Sequence, residues 1–363
     1  MSNSLGTLFR ITSFGESHGK TVGVVVDGCP AGLPLSEADI QPELDRRRPG
    51  MSPADTPRCE EDKVVIISGV HEDRTTGAPL CMLAWNRDAD SSAYAKINNI
   101  PRPGHADYTS YVKYKGLADP RGGGRFSGRI TAGFVMAGAV ARKVLAAHNI
   151  EILAHTLAIG GVAARALDVD SVRNLSRLSV LGCADMEAEK RMLQSLAAAR
   201  EAGDSLGGVV EVLALGVPAG WGEPVFSTVD GELARAYLAV PAVKGVEFGV
   251  GFGATTLRGS ENNDSFIIRN GYVATSTNNA GGILGGITSG EPLIARIAIK
   301  PTPSIAQEQH SVNLATMTET EITIEGRHDT CIVPRAVVVM EAMTAIVLCD
   351  LGLRAGTLPG VMK

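Results

Sequence analysis

The sequence predicts an α+β fold in which β-sheets pack on central helices. Segments with strand-like alternation and segments with helical periodicity occur in clusters, without the strict strand–helix alternation of a doubly wound nucleotide-binding fold. Hydrophobic residues make up 44% of the chain and charged residues 20%, which is typical of a globular protein with a substantial core. The segment AVVVMEAMTAIVLCDLGL is apolar on nearly every side, as expected of a helix that is buried on most faces.

Periodicity places the individual elements. The predicted helices cover 36–47, 131–148, 185–202, 230–239 and 335–353, and Ser36 is a candidate cap for the first. The predicted strands cover 20–27, 63–69, 207–216, 293–299 and 320–325. The chain has no repeat of fixed period, no low-complexity segment and no Pro/Ser-rich linker. We therefore expect one domain over residues 1–363, with loop insertions.

Composition excludes several classes of protein. The net charge of −5 argues against a general nucleic-acid binder. The six cysteines have no C-x-x-C or C-x-x-H spacing, so neither a zinc cage nor a disulfide framework is indicated. The N-terminus lacks a basic region followed by a long apolar stretch, and no run is expected to approach the length needed to cross a bilayer. A cytoplasmic protein with reduced thiols is the default expectation.

The stretch GESHG at 15–19 has the G-x-S-x-G spacing of a hydrolase nucleophile elbow, which would make Ser17 a nucleophile. That elbow requires a strand, a sharp turn and then a helix. Here the β-branched run KTVGVVVDG follows the motif and predicts a second strand, so a glycine turn between two strands is favoured. A serine hydrolase stays open as the weaker alternative.

Arginines outnumber lysines by 24 to 10, and several of them lie in glycine-rich loops. The loops include RPGHAD at 102–107, DPRGGGRFSGR at 119–129 and NNAGGILGGITSG at 278–290. Guanidinium groups bind carboxylates and phosphates in a bidentate manner, so clustered loop arginines indicate a ligand with several negative charges. No loop has the spacing of a P-loop or of a Rossmann fingerprint, which disfavours ATP chemistry and a Rossmann cofactor site. A carrier of a flavin or another polyanion is a non-enzymatic alternative.

Three further residues are candidates for proton transfer. His18 and His105 each stand beside glycine and small polar residues, where an imidazole is able to face a cavity and act as a general acid. Asp329 in GRHDTC is either a helix cap or a base. No H-x-x-H or H-E-x-x-H spacing is present, so no metal site is expected.

Taken together and in order, these motifs resemble those of the chorismate synthase family over the whole chain. The matching stretches are GESHG at 15–19, DRRRPG at 45–50, RPGHAD at 102–107, GGGRFSGR at 122–129, AVKGVEFG at 242–249, NNAGGILGGITSG at 278–290, KPTPSI at 300–305 and GRHDTC at 326–331. Several long motifs in one order are far more specific than any one of them.

The resemblance implies a lyase of the β-α-β sandwich type that performs the last step of the shikimate pathway. Its reaction converts 5-enolpyruvylshikimate 3-phosphate to chorismate and phosphate by an anti-1,4-elimination. The family requires reduced FMN without net redox change, and NADPH enters only as an indirect reductant. The family also implies a homotetramer and, because no reductase domain is appended here, an external flavin reductase.

The resemblance also implies roles for single residues. His18 matches the acid that protonates the departing phosphate, and His105 matches the donor toward the flavin. Asp329, with Ser17 and Ser127, matches the group that draws a proton from flavin N5. The expected substrate-binding residues are Arg48, Arg102, Arg129 and Arg327. The expected FMN-binding residues are Arg125, Phe126, Ser127, Pro241, Ala242, Gly285, Gly286, Lys300, Pro301, Thr302, Pro303, Ser304 and Arg327.

Two positions depart from the family pattern. Many members carry a further arginine soon after RRRPG, whereas this chain continues MSPADTPR, which leaves Arg58 as a candidate replacement. Pro241 stands where Asn or Ser is common, and proline has no backbone N–H to donate. Both departures concern ligand contacts and leave the expected class unchanged.

Overall fold

The structure is a computed structural model, and it describes residues 3–50, 52, 54, 61–87, 99–324 and 329–362. The helices in chain order are α1 Glu37–Arg47, α2 Asp107–Tyr114, α3 Thr131–Ala146, α4 Val169–Leu175, α5 Met186–Glu201, α6 Val229–Leu238, α7 Gly259–Asn262 and α8 Val333–Arg354. Short 3₁₀ turns cover Arg121–Phe126, Gly128–Ile130 and Gly251–Thr256.

The strands follow the same chain order. They are β1 Ser4–Leu5, β2 Arg10–Gly15, β3 Thr21–Asp27, β4 Val64–Ser68, β5 Val70–His71, β6 Arg74–Thr75, β7 Leu80–Trp85, β8 Glu151–Ile159, β9 Val162–Ala163, β10 Gly208–Leu215, β11 Val243–Phe248, β12 Phe266–Arg269, β13 Tyr272–Thr275, β14 Ile283–Leu284, β15 Ile287–Thr288, β16 Leu293–Ile299, β17 Gln309–Asn313 and β18 Thr318–Ile322.

Two five-stranded antiparallel sheets enclose the central helices. The first sheet has the order β1-β2-β3-β7-β4 and the second has the order β11-β16-β10-β8-β9. Helix α3 packs on β3 of the first sheet, α8 packs on β8 and β10 of the second, and α3 and α8 pack on each other. One contiguous hydrophobic core includes residues of both sheets and of both helices. The α+β prediction, with sheets on central helices, is confirmed.

Helix α8 is the centre of this core, because it is apolar on nearly every face. Every residue from Ala336 to Gly352 is buried, as its sequence predicted. The expectation that no run is long enough to cross a bilayer was wrong, since α8 reaches that length and apolarity. Its most apolar stretch is nevertheless 94% buried inside the protein, where it serves as a core helix.

Most predicted elements form within a few residues of their predicted bounds. Ser36 precedes α1, and its backbone N–H donates to the carboxylate of Asp39 at 2.8 Å, which forms a capping box. The strand predicted over 320–325 instead begins at Thr318 and ends at Ile322. Strand β7 was missed because its sequence, LCMLAW, has no polar residue to show alternation. It nevertheless lies inside the first sheet, between β3 and β4.

Candidate active site

A cavity of about 650 Å³ opens between the loops that carry the predicted motifs. Its walls come from the end of α1, from segments 102–106 and 122–131, from 238–244, from 300–304, and from Asp329 with the first turns of α8. The volume lies within the range that accommodates cofactors and drug-sized ligands. Motifs that are hundreds of residues apart in sequence therefore share one site.

The described lining of this cavity is strongly cationic. It contains seven Arg or Lys side chains, namely Arg47, Arg102, Arg125, Arg129, Arg335, Lys244 and Lys300. Among the same described lining residues, Asp329 is the one carboxylate. Leu238, Val240, Val243, Ile332 and Val339 give part of the wall an apolar surface. Such a site suits a planar apolar group together with several anionic groups.

The GESHG motif forms the turn of a β-hairpin. Strand β2 precedes it and β3 follows it, and the two strands pair antiparallel from Arg10↔Asp27 to Gly15↔Val22. No helix follows the serine, so the nucleophile-elbow interpretation is wrong for this chain. Ser17 is buried and its hydroxyl lies 3.2 Å from that of Ser127, which lines the cavity.

His18 lies against the glycine loop of 122–124. A Cβ added at Gly122 would overlap the His18 imidazole and would come 2.9 Å from the hydroxyl of Ser17. Gly122 itself has a φ of +58°, a conformation that favours glycine. Gly122 lines the cavity, and the imidazole of His18, which is not among the described lining residues, lies next to it.

His105 lines the cavity and is held by a carboxylate that the sequence analysis missed. Its Nδ1 lies 2.6 Å from Oδ1 of Asp107, and Arg102 binds the same carboxylate with Nε at 2.8 Å and Nη2 at 2.9 Å. Burial alone would raise the pKa of Asp107, but Arg102 and His105 outweigh it and hold the pKa well below its usual range. The signal was present in RPGHAD, where the aspartate follows the histidine by two residues.

Asp62 is a second carboxylate that sequence reasoning missed. It is buried and forms ion pairs with two cavity residues, Arg47 at 3.0 Å and Arg129. Burial raises the pKa of Asp62, but the two guanidinium groups outweigh burial and the net pKa is lowered. No local pattern points to this residue, because its partners lie 15 and 67 positions away.

Arg129 uses only part of its hydrogen-bonding capacity within the described residues. Its Nε donates to Oδ1 of Asn86 at 2.9 Å, and its Nη1 pairs with Asp62. Its Nη2 is buried and has no hydrogen-bond partner within the part of the chain that the structure describes. Buried donors without a partner are rare in proteins, so this nitrogen marks Arg129 as a group whose hydrogen bonding is incomplete within the described residues.

Asp329 does not cap a helix, because α8 begins at Val333 after an N-cap at Ile332. The helix-cap alternative was therefore wrong. The Asp329 carboxylate instead accepts from Nη1 of Arg335 at 2.9 and 3.1 Å, and both residues line the cavity. Arg335 belongs to the first turns of α8, so the buried helix positions this carboxylate.

Several of the residues expected to bind FMN line the cavity. These are Arg125, Phe126, Ser127, Pro241, Ala242, Lys300, Thr302, Pro303 and Ser304. Burial lowers the pKa of Arg125, whose guanidinium donates to the carbonyl oxygen of Gly15 at 3.0 Å. The pKa of Lys300 is also lowered, by burial and by the nearby charge of Lys244.

Other predicted residues lie elsewhere. Gly285 and Gly286 form the turn between β14 and β15 and are not among the described lining residues. Arg48 and Pro301 are also not among the described residues that line the cavity. Of the three consecutive arginines at 46–48, Arg47 is the one that lines it. Arg48 lies 3.7 Å from Asp45, with its side chain partly exposed. The ligand roles of these four residues stay predictions, as do those of the predicted residues that line the cavity. Arg58 and Arg327 lie outside the described residues.

Comparison with known proteins identifies the family. The family model described as chorismate synthase matches residues 9–353. The chain belongs to the chorismate synthase family. A chorismate synthase of Dehalococcoides mccartyi is 56% identical over 363 residues, covering 100% of both chains. One of Methanosarcina mazei is 54% identical over 354 residues, covering 98% of this chain and 97% of its own.

A solved crystal structure of a chorismate synthase superimposes with a TM-score of 0.76 at 32% identity, covering 96% of this chain and 93% of that chain. The predicted family and the predicted enzyme class, a carbon–oxygen lyase of the shikimate pathway, are thereby confirmed. Among the described residues, no group of three or more His, Cys, Asp or Glu side chains is arranged to hold a metal ion.

Proposed function

We propose that the chain converts 5-enolpyruvylshikimate 3-phosphate to chorismate and phosphate by an anti-1,4-elimination that depends on reduced FMN without net redox change. The observation that carries the proposal is the cavity with seven cationic side chains and one carboxylate among its described lining residues. The substrate has two carboxylates and a phosphate, and arginine binds both kinds of group in a bidentate manner.

The residues present also fit FMN. Leu238, Val240 and Val339 offer an apolar wall to a flat ring system, while Arg125 and Lys300 supply cations for a phosphate. When bound, reduced FMN supplies a transient electron that assists the departure of phosphate. Pro241 lines the cavity but has no N–H, so contact there is restricted to its ring and carbonyl oxygen.

The chain's own residues bind the anions and transfer protons. Arg102 and Arg129 orient the anionic groups of the substrate, and His18 protonates the departing phosphate. His105 donates a hydrogen bond toward the flavin from Nε2, the ring nitrogen that does not contact Asp107. Asp329, with Ser17 and Ser127, accepts the proton that the reaction releases. The Ser17–Ser127 contact of 3.2 Å and the cavity position of Asp329 support this assignment.

An anaerobic assay with and without reduced FMN tests the proposal. We expect phosphate release and chorismate absorbance only when reduced FMN is present. Equal turnover without any flavin would contradict the proposal, and tight FMN binding without turnover would instead indicate a flavin carrier. His18→Ala should lower the rate by about 10²–10⁴-fold if His18 is a general acid.

We also propose a single domain, a cytoplasmic location, a homotetramer and a separate enzyme that reduces the flavin. The support for self-association is the hairpin β12–β13, where Phe266, Ile268, Tyr272 and Val273 are each 68–78% exposed. Apolar residues grouped in this way are typical of a surface that contacts another protein. A second copy of this chain is the partner that the family resemblance implies.

A further inference from the structure

Asn86 joins two parts of the candidate site that are far apart in sequence. It follows β7, and its Nδ2 donates to the carbonyl oxygens of Glu16 at 3.0 Å and Gly19 at 2.9 Å. Its Oδ1 accepts from Nε of Arg129 at 2.9 Å. The two carbonyl groups lie on either side of His18 in the hairpin turn, so one amide contacts both the histidine turn and a cavity arginine.

We propose that Asn86 is a positioning residue that holds the turn of His18 and the guanidinium of Arg129 in one fixed arrangement. This inference rests on the proposed function, because it assigns Asn86 an effect on substrate binding through Arg129 and on phosphate protonation through His18. Asn86 itself is not among the described residues that line the cavity, so it acts through these two neighbours.

The chemistry of the amide explains why this position requires asparagine. An Asn side chain has two N–H donors and one carbonyl acceptor. Here both N–H groups donate to backbone carbonyl oxygens, and the side-chain oxygen accepts from Arg129. A carboxylate at the same place would present an oxygen to the carbonyl oxygens of Glu16 and Gly19 and repel them. The backbone N–H of Asn86 also donates to the carbonyl of Lys20 at 3.1 Å, which attaches the residue to the start of β3.

Arg129 receives its orientation from Asn86 and Asp62 together. Asn86 binds Nε, Asp62 binds Nη1, and the backbone N–H of Arg129 donates to Oγ of Ser127 at 3.2 Å. Two bonds on different nitrogens fix the plane of a guanidinium group, whereas one bond allows it to rotate. Loss of Asn86 would allow the guanidinium group of Arg129 to rotate, and this would weaken the binding of an anion.

His18 needs the same precision for a different reason. Its imidazole contacts Gly122 so closely that a Cβ at Gly122 would overlap it, so the turn cannot move toward the loop. The hydrogen bonds of Asn86 to Glu16 and Gly19, together with that of the Ser17 N–H to the carbonyl oxygen of Gly124 at 3.2 Å, hold the turn in place. A displacement of about 1 Å of a catalytic group lowers a rate by about 10²-fold.

The experiment compares Asn86→Ala with Asn313→Ala in the full chain. Asn313 is the matched control, because its Oδ1 also braces a hairpin turn, by accepting from the N–H groups of Ala315 and Thr316, outside the described cavity lining. The turnover rate is measured anaerobically with reduced FMN. The Kd of the phosphorylated substrate is measured with oxidised FMN, where no turnover is expected.

We expect Asn86→Ala to lower kcat by about 10–100-fold and to raise the substrate Kd by about 3–10-fold, while Asn313→Ala changes neither. In a His18→Ala background, Asn86→Ala should change kcat by less than about twofold and still raise the Kd, because only the effect through Arg129 is left. A general loss of structure would not separate kcat from Kd in this way.

The proposal is overturned if kcat and Kd of Asn86→Ala both stay within about twofold of wild type, or if its full kcat loss persists without His18. If Asn86→Ala does not fold, the isosteric Asn86→Asp replaces it and should show the same loss of kcat. A wild-type chain without turnover would contradict the proposed function, and the Kd of Asn86→Ala would then still test the contact with Arg129.

Discussion

At the scale of single residues, one buried and one half-buried carboxylate hold cationic side chains of the site in place. Asp107 binds Arg102 and His105 together, and Asp62 binds Arg47 and Arg129 together. Each carboxylate keeps a pKa below its usual value, because the neighbouring positive charges outweigh the effect of burial. Both carboxylates are therefore ionised at neutral pH, and each fixes two cavity groups at once.

Asp107→Asn should impair catalysis more than folding. An amide cannot accept from Arg102 and His105 with both of its atoms, so the imidazole loses its fixed orientation. We expect kcat/KM to fall by about 10–100-fold, the range found when the partner that orients a metal-bound histidine is lost. The measurement is the anaerobic assay with reduced FMN. Asp170→Asn is the control, since that side chain is 81% exposed and pairs with Arg173; equal effects of the two variants would contradict the prediction.

Asp62→Asn should destabilise the protein in a pH-dependent manner. The pKa of Asp62 is lower in the folded than in the unfolded chain, so its stabilising effect is complete above the ordinary value of about 4 and is lost as the pH falls toward the folded value. At pH 7 the loss should be about 3–5 kcal/mol, because two buried guanidinium groups lose a partner. The free energy of unfolding of wild type and variant is measured by urea denaturation at several pH values from 7 to 3. The difference in unfolding free energy between wild type and variant should become smaller below about pH 4. A difference that does not change with pH would contradict this explanation.

At the scale of elements, the contact between α3 and α8 determines how closely the two sheets approach. Gly138 of α3 lies against Ala342 of α8, and a Cβ at Gly138 would overlap Cα and Cβ of Ala342. Such contacts leave no room for relaxation, since both helices are buried on nearly all faces here. Helix α8 also carries Arg335, so a shift of this helix would reach the cavity.

Gly138→Ala should therefore destabilise the protein by about 1–3 kcal/mol, although alanine is the better helix former. Thermal or urea unfolding measures the effect. Gly259→Ala is the matched control, because the same Cβ at Gly259 meets nothing within 4 Å, and its effect should stay within about 0.5 kcal/mol. Equal stability of the two variants would show that the helices separate without penalty.

At the scale of the whole molecule, the hairpin β12–β13 is an apolar surface without a covering element in the described part of the chain. Both faces of the hairpin expose large side chains, with Ile268 72% and Tyr272 78% exposed. A two-stranded hairpin is only marginally stable on its own, so contact with another copy would stabilise it. The homotetramer proposed above supplies such a contact.

Ile268→Asp should weaken self-association. Placing a charge in an apolar interface leaves that charge without water or a partner, which opposes assembly. Light scattering coupled to size-exclusion chromatography measures the mass against the 37.9 kDa of a single chain. The control is Val312→Asp on the separate hairpin β17–β18, where Val312 is 40% exposed. A wild-type protein that has the mass of a monomer at micromolar concentration would contradict the proposed homotetramer.

The sequence by itself determined the family, the enzyme class, the fold class and most of the long elements. Motifs such as GESHG and RPGHAD contain their own turn residues and histidines, and the apolar run of α8 shows its burial directly. These features are local, so periodicity and short patterns are enough to find them. The strand predicted after GESHG disfavoured Ser17 as an elbow nucleophile, and the observed hairpin decided against it.

The tertiary structure alone decided which side chains meet. Asp62, Asn86 and Arg129 lie on three separate segments, and no spacing in the sequence relates them. It also placed Arg47 in the cavity lining and bound Asp329 to Arg335, where the sequence had suggested Arg48 and a helix cap. The physical reason is that buried polar groups must find partners, and those partners come from whichever segments the packing of α3 and α8 between two sheets brings together.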